Sequence, residues 1–251
     1  QSGKNLSVRA ETMPLTGNLF SGKDMTLTLR GDLDNTSAAD SFGNLHAGGN
    51  LTAEIQGAVS NRRNITAGEE LHLTATKNLA QNETGTIYGK NLTLSAANLS
   101  NQGLMQADNS AVLRTAQLKN DTAGRIYGED ISAAATELHN DGKIISNGNA
   151  VLRADRIVGS GTFGSGISPA GTANADGSLT LDAKEIIQTN ANILSGKDIS
   201  LTADNIHTEN TTIAGNGDVS VTAEHALSIE KSVLQSGKNL SVRAETMPLT
   251  G

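Results

Sequence analysis

Groups of about twenty residues repeat along this chain, and each group carries one alternation. The clearest begins at Gly89, where Leu92, Leu94 and Ala96 alternate with Thr93 and Ser95. That spacing puts three apolar residues on one face of a strand and two hydroxyls on the other. A lone apolar residue (Leu99), a corner at Asn101 and Gly103, and a short apolar piece at Leu104 and Met105 complete the group. A single group cannot bury its own apolar face, whereas stacked copies can.

Aligned on the residue equivalent to Gly89, copies start at Gly3, Gly22, Gly48, Gly68, Gly89, Asp108, Gly128, Asn147, Asp176, Gly196, Asn216 and Gly237. Most steps are 19 to 21 residues, and two are longer, at 26 and 29. Every replacement of Gly at this site is Asn or Asp. These residues best tolerate positive φ, so the site reads as a tight corner of fixed geometry. The apolar triple persists from Leu6/Val8/Ala10 to Leu240/Val242/Ala244, and its third place is usually Ala, which implies a narrow corner of the cross-section. A second apolar point recurs at Leu99, Leu118, Leu138, Ile157, Ile186 and Ile206, and a third at Phe20, Ile87, Ile126, Ile145 and Leu194.

Equivalent strands of stacked copies run the same way, so their sheets are parallel. Three apolar segments per copy predict an all-β fold: a right-handed parallel β-helix of about eleven coils, with three short strands per coil around a triangular core. At one strand spacing per coil the rod is on the order of 50 Å long. A leucine-rich repeat shares the period and the L-x-L phrase, but no copy here leaves room for a helix. Hexapeptide helices and calcium-binding nonapeptide rolls need shorter periods.

The whole chain, 1–251, reads as one β-helical repeat domain. The two long copies place insertions near 33–47 and 156–175, which are either tolerated surface loops or a contact surface. Residues 1–17 (QSGKNLSVRAETMPLTG) are identical to residues 235–251, an offset of 234 residues. Either the chain is a fragment of a longer array with a 234-residue unit, or one end has been duplicated. The terminal coils carry no capping segment to block edge pairing.

Composition narrows the partners. With aromatics at 2% and no Cys or Trp, Leu, Ile, Val and Ala must build the core, and disulfides and thiolate zinc sites are excluded. A net charge of −7 without a basic run argues against nucleic acid and anionic lipid. No segment approaches the 18 or so apolar residues of a membrane span, and no signal peptide opens the chain, so a mature soluble segment with no membrane insertion is expected.

No catalytic constellation stands out, and no cofactor or metal site is expected. His46, His72, His139, His207 and His225 have no partners at metal-ligand spacing. Glu69-Glu70 and Glu129-Asp130 follow the corner residue and read as a solvated edge rather than a glycosidase pair. A polysaccharide-cleaving β-helix would need clustered acids, a base and aromatic platforms, and only Phe20, Phe42, Phe163, Tyr88 and Tyr127 are available. Gly159-Ser-Gly161-Thr-Phe-Gly164 matches G-x-G-x-x-G but lacks a following helix, so it reads as a flexible loop. Arg30-Gly31-Asp32 spells the integrin-recognition tripeptide directly after a strand. It is a candidate recognition site, set against ordinary Gly-Asp corner chemistry. The N-x-S/T triplets at Asn5, Asn50, Asn64, Asn91, Asn98 and Asn239 arise where corner Asn meets strand Ser or Thr.

The phrase G-[KE]-[ND]-[LI]-x-L-x-A, with a further apolar residue and an Asn-Gly corner, resembles the filamentous haemagglutinin repeat. Gly22-Lys-Asp-Met, Gly31-Asp-Leu-Asp-Asn, Gly89-Lys-Asn-Leu-Thr-Leu-Ser-Ala and Gly196-Lys-Asp-Ile-Ser-Leu-Thr-Ala carry the likeness, which spans essentially the whole chain. The resemblance implies a large exoprotein of a Gram-negative bacterium, secreted to the cell surface through an outer-membrane two-partner secretion transporter. Such proteins are adhesins, or stalks of contact-dependent growth-inhibition proteins with a C-terminal toxin, and they form β-helical filaments. Neither the family's N-terminal secretion motifs nor a toxin-like C-terminal segment occurs here. The resemblance therefore implies a non-enzymatic internal shaft, with coils that can stack end to end and a receptor on a host cell or neighbouring bacterium.

Overall fold

The computed structural model describes residues 1–36, 43–168, 172 and 177–247. Among the described residues every regular element is a β-strand, and successive turns of the chain pair in parallel. The strands stack in three rows. The first runs from Leu6–Ala10 to Leu240–Arg243, the second from Met13–Pro14 to residues 226–230, and the third from Leu19–Ser21 to Val233–Ser236. The third row holds 11 strands. In four turns the first two rows form one strand that bends through the corner: Asn91–Asn101, Ser110–Asn120, Ile199–Glu209 and Val219–Glu230. The architecture is the expected parallel β-helix of about eleven turns.

Like stacks on like. Leu71 pairs with Leu51 below and Leu92 above, and Leu73 with Ala53 and Leu94. The first two places of the inward triples therefore make continuous aliphatic columns, buried throughout the interior turns, while the third place is only half-buried at Thr115, Ala135, Ala154 and Ala183. The third column is Ala over much of its height, as at Ala75, Ala96, Ala203 and Ala223, while Leu29 and Ile55 fill the same corner in early turns. Leu99, Leu118, Leu138, Ile157, Ile186 and Ile206 form the buried column of the second row.

The third row corrects one expectation. Ile87 and Ile126 are inward, but Phe20, Ile145 and Leu194 sit on the outward line, and Leu19, Ile144 and Ile193 take the core positions. The cause is corner length. From the third row to the next first-row strand, Gly89 and Gly128 stand one residue nearer than Ser21, Ala47 or Ser146. Counting back from the corner thus picks opposite faces in different turns.

The corner glycines correct another. Among described residues positive φ is confined to Gly43, Gly159, Gly166, Asn190, Asn210 and Lys231, so the recurrent corner Gly is not there for left-handed backbone. It is there for proximity: a Cβ on Gly22 would lie 2.7 Å from the Gly3 carbonyl oxygen, and one on Gly48 2.6 Å from that of Gly22.

Both long copies carry strands of the ladders within the expected insertions. Leu33–Asn35 and Leu45–Ala47 are strands of the second and third rows, and residues 37–42, with Phe42, lie outside the described residues. Arg156–Gly159 pairs with the second-row strands on both sides, and Thr162–Ser165 does so in the third row. The extra residues begin after Ser165, and the chain rejoins the stack at Leu179. Residues 169–171 and 173–176, including the corner assigned to Asp176, lie outside the described residues.

A buried polar column runs beside the aliphatic ones. The Asn35 Nδ2 donates to Asn61 Oδ1 at 2.7 Å, and Asn61 Nδ2 to Gln81 Oε1 at 2.6 Å. Asn101 donates to Asn120 at 2.8 Å and Asn120 to Asn140 at 2.7 Å, all three Asn side chains being fully buried, as are Asn35 and Asn61. Asn61 and Asn120 each receive from the turn before and give to the turn after, while Gln81 turns its Nε2 to the Leu104 carbonyl at 2.7 Å, so that Asn101 begins a second run; the bonds satisfy buried dipoles that would otherwise cost stability. The two outer ends of the column lie where the sequence supplies no amide. Gly159 follows Asn140, and Gln188 Oε1 in the next turn has no donor; Leu15 precedes Asn35, whose Oδ1 likewise has none.

Candidate functional site

Arg30, Gly31 and Asp32 form the corner between the strands Met25–Leu29 and Leu33–Asn35. Arg30 and Asp32 are exposed. The corner is fixed from below, since the Arg30 N–H reaches the Ala10 carbonyl at 3.2 Å and the Gly31 N–H reaches that of Glu11 at 2.6 Å. It is also fixed from above: Asp32 Oδ1 accepts the Ala58 N–H of the next turn at 2.8 Å. One oxygen of the tripeptide's carboxylate is therefore engaged in holding two turns together.

The same chemistry recurs at several of the corners before first-row strands. Asp24 Oδ1 accepts the Asn50 N–H at 2.9 Å, and Asn50 Oδ1 accepts the Glu70 N–H at 3.1 Å. Asp130 accepts from Asn149 at 2.8 Å, Asp198 from Asp218 at 2.8 Å, and Asp218 from Asn239 at 3.0 Å. The backbone and side-chain N–H groups of Asn239 hold the Asp218 carboxyl below its ordinary range.

On the outside of the third row, Phe20, His46, Thr66, Tyr88, Gln106, Tyr127 and Ile145 form one line, one residue per turn. Phe20 and His46 meet edge to face at 6.2 Å between ring centres, and His46 Nδ1 lies 2.8 Å from Thr66 Oγ1. The Tyr88 hydroxyl donates to Asp108 at 2.6 Å, and this bond, with some burial, raises its pKa. Tyr127 is raised by burial, against the opposing pull of Arg125. Ile145 is covered although it points outward; a Cβ on neighbouring Gly164 would press on Ile167 and lie 3.3 Å from Ile145. The residues after Ser165 thus fold back over the line and wall a groove of about 430 Å³, lined by Gln106, Asp108, Tyr127, Glu129, Asn147 and Ser168 among others.

The remaining charged groups form rungs between turns. Arg156 bridges Glu185 at 2.6 Å and Glu137 at 3.3 Å, and the Glu185 contact leads in raising its pKa. Asp141 is pushed up by partial burial but held below its ordinary value overall by the Ser160 hydroxyl and N–H and by His139. Among described residues no group of three or more His, Cys, Asp or Glu could hold a metal ion, and no helix is long and apolar enough to cross a membrane. The G-x-G-x-x-G stretch is not a loop throughout: Thr162–Ser165 is a strand, and Gly159 ends the strand before it with φ of 141°.

The model of the haemagglutinin repeat matches residues 1–41, 43–88, 159–228 and 205–246, more than half of the chain. The chain belongs to the haemagglutinin-repeat family. No curated protein and no solved structure matches it significantly. In this chain each part of the haemagglutinin phrase has a place in the stack. Gly permits close approach of backbones, Asn or Asp ties its turn to the next, and L-x-L-x-A supplies the inward columns. Residues 89–158, outside the matched stretches, continue every row without a break and contain both shortened corners and the buried run Asn101, Asn120 and Asn140. That run and the outward third-row line were the features least evident from sequence, although the Asn before each second corner was the available signal.

Proposed function

We propose that this chain is a shaft segment of a large secreted surface exoprotein of a Gram-negative bacterium. It projects a binding or toxin region, as in an adhesin or a contact-dependent growth-inhibition stalk, after export through an outer-membrane two-partner transporter. The observation that carries this reading is the uninterrupted stack. The described turns are tied to their neighbours by three parallel ladders and an aliphatic core, several also by a corner rung, and charged pairs such as Arg156 with Glu185 bridge turns. The work of such an element is mechanical: it sets distance and resists bending, and it requires no catalysis.

Contacts reach only the adjacent turns, so turns should yield one after another under load. Pulling the chain by its ends should release about 20 residues, or roughly 70 Å of contour, per event. One rupture for the whole chain would count against the shaft. A second reading, direct adhesion to a host glycan or protein, draws on the groove beside Tyr127 and on the exposed Arg30–Asp32 corner. Labelled chain added to host cells separates the two. The shaft reading expects no saturable binding; adhesion expects binding that Tyr127→Ala or Arg30→Ala removes with circular dichroism unchanged. Turnover of any member of a panel of acidic polysaccharides would overturn both.

A further inference from the structure

The 17 residues shared by the two ends occur in two settings, and their described parts use complementary atoms. As residues 1–17 the segment has a neighbour only above it. The Leu6 N–H donates to the Asp24 carbonyl at 2.9 Å, the Met13 N–H to that of Asp32 at 2.9 Å, and Leu6 and Val8 pair with Met25 and Leu27. As residues 235–247 it has a neighbour only below. There the Asn239 carbonyl accepts the Val219 N–H at 2.9 Å, the Thr246 carbonyl accepts the Leu227 N–H at 3.0 Å, and Leu240 and Val242 pair with Val219 and Val221.

Asn5 and Asn239, the same residue of the shared segment, show the complementarity. Asn239 gives its N–H to Asp218 Oδ1 below at 3.0 Å, and Asn5 Oδ1 accepts the Asp24 N–H above at 3.4 Å. The local shape is unchanged between settings: the Lys4 N–H lies 3.2 Å from Ser2 Oγ, and the Lys238 N–H 3.1 Å from Ser236 Oγ. The two neighbours use opposite edges of the segment, one through N–H groups such as that of Leu6 and the other through carbonyls such as that of Asn239.

We infer that residues 235–247 are the first turn of a further copy of the same 234-residue unit, and that the edge they present seats a segment identical to residues 18–36. In the first setting Leu6, Val8 and Met13 pack against the core. In the second the same side chains stand bare, with Leu240 48%, Val242 37% and Met247 46% exposed. The offset returns Leu240 to the row and face of Leu6, so the unit contains a whole number of turns and the seam needs no insertion, cap or register shift. Each unit then adds about 50 Å of rod. This deepens the shaft reading by giving the shaft a module of fixed length, and it rests on the stack described above.

The test extends the full chain after Gly251 with a second copy of residues 18–251. Hydrogen exchange is followed at Leu240, whose N–H lacks a partner at the edge. The seam predicts that the Leu240 amide slows by about tenfold or more on extension, approaching the Leu6 amide. Small-angle scattering should show the rod lengthened by about 50 Å at constant cross-section. Val242→Lys in the extended chain should abolish that protection. Unchanged exchange at Leu240, or a doubled cross-section from units lying side by side, would overturn the inference. Circular dichroism of the unextended chain reports the fold separately, so failure of the seam and failure of the stack are distinguishable.

Discussion

Replacing Asn120 by Ala tests whether the buried amide column stabilises the stack. Asn120 is fully buried, receives Asn101 Nδ2 at 2.8 Å and gives to Asn140 Oδ1 at 2.7 Å. Truncation removes both relay bonds, each worth about 1 kcal/mol net, together with the longer contacts of Nδ2 to the Gly124 and Lys143 carbonyls at 3.3 Å, and leaves Asn140 Oδ1 without its donor, a further cost of about 1–3 kcal/mol. Asn101 Nδ2 keeps the Arg125 carbonyl at 3.3 Å, so that end is partly compensated. The expected loss is about 3–4 kcal/mol. Asn35 is the internal comparison, equally buried but at the end of the column with an unpaired Oδ1. Its single bond goes to Asn61 Oδ1, which also accepts the Arg63 N–H at 3.3 Å. Asn35→Ala removes one bond together with one orphan acceptor and should cost only about 0–1 kcal/mol. Urea unfolding of both variants gives the difference. Hydrogen exchange near residue 140 guards against partial unravelling, which solenoids permit. Equal losses, or a loss below about 1 kcal/mol at Asn120, would refute the argument that relayed amides carry stability.

Three further outcomes follow from the same geometry. Gly48 is exposed and has no left-handed φ, so Ala there would ordinarily stabilise by reducing unfolded-state freedom; the Gly22 carbonyl 2.6 Å from its Cβ site reverses the sign, and urea unfolding should show a loss of about 1–3 kcal/mol. Leu94→Ala should cost about 2–5 kcal/mol and Thr93→Ala less than about 0.5, because adjacent residues of one strand face the core and the solvent. The Asp141 carboxyl is held below the ordinary value of an Asp side chain, so its contribution to stability is present above that value and is lost as pH falls through the lower folded pKa. Ser160→Ala should therefore lower the unfolding midpoint near neutral pH, and its difference from the parent should shrink as pH falls through the lowered pKa of Asp141.

The period, the parallel rows and the inward triples were legible because alternation and spacing are properties of neighbouring residues. Leu92, Leu94 and Ala96 announce their face without reference to the rest of the chain. The third row was less legible. Whether Phe20 or Leu19 faces the core depends on one residue of corner length, which a periodic count cannot register. Asn101 read only as part of a corner with Gly103, and nothing beside it in the chain marks the buried relay to Asn120 and Asn140, whose places lie one and two turns away. Arg30-Gly31-Asp32 read as a motif in sequence, while in space Asp32 belongs to a rung with the Ala58 N–H.

By itself the sequence determined that the chain winds into a parallel β-helix of about eleven turns with an aliphatic core. Only the tertiary structure decided which corner residues lie inside, why the corner is Gly, where the second insertion leaves the stack, and how the shared ends complement one another. The physical reason is separation along the chain. Each of those answers depends on a partner one turn away, from Gly3 beneath Gly22 to Asn140 above Asn120, and on whether a local corner is one residue longer or shorter.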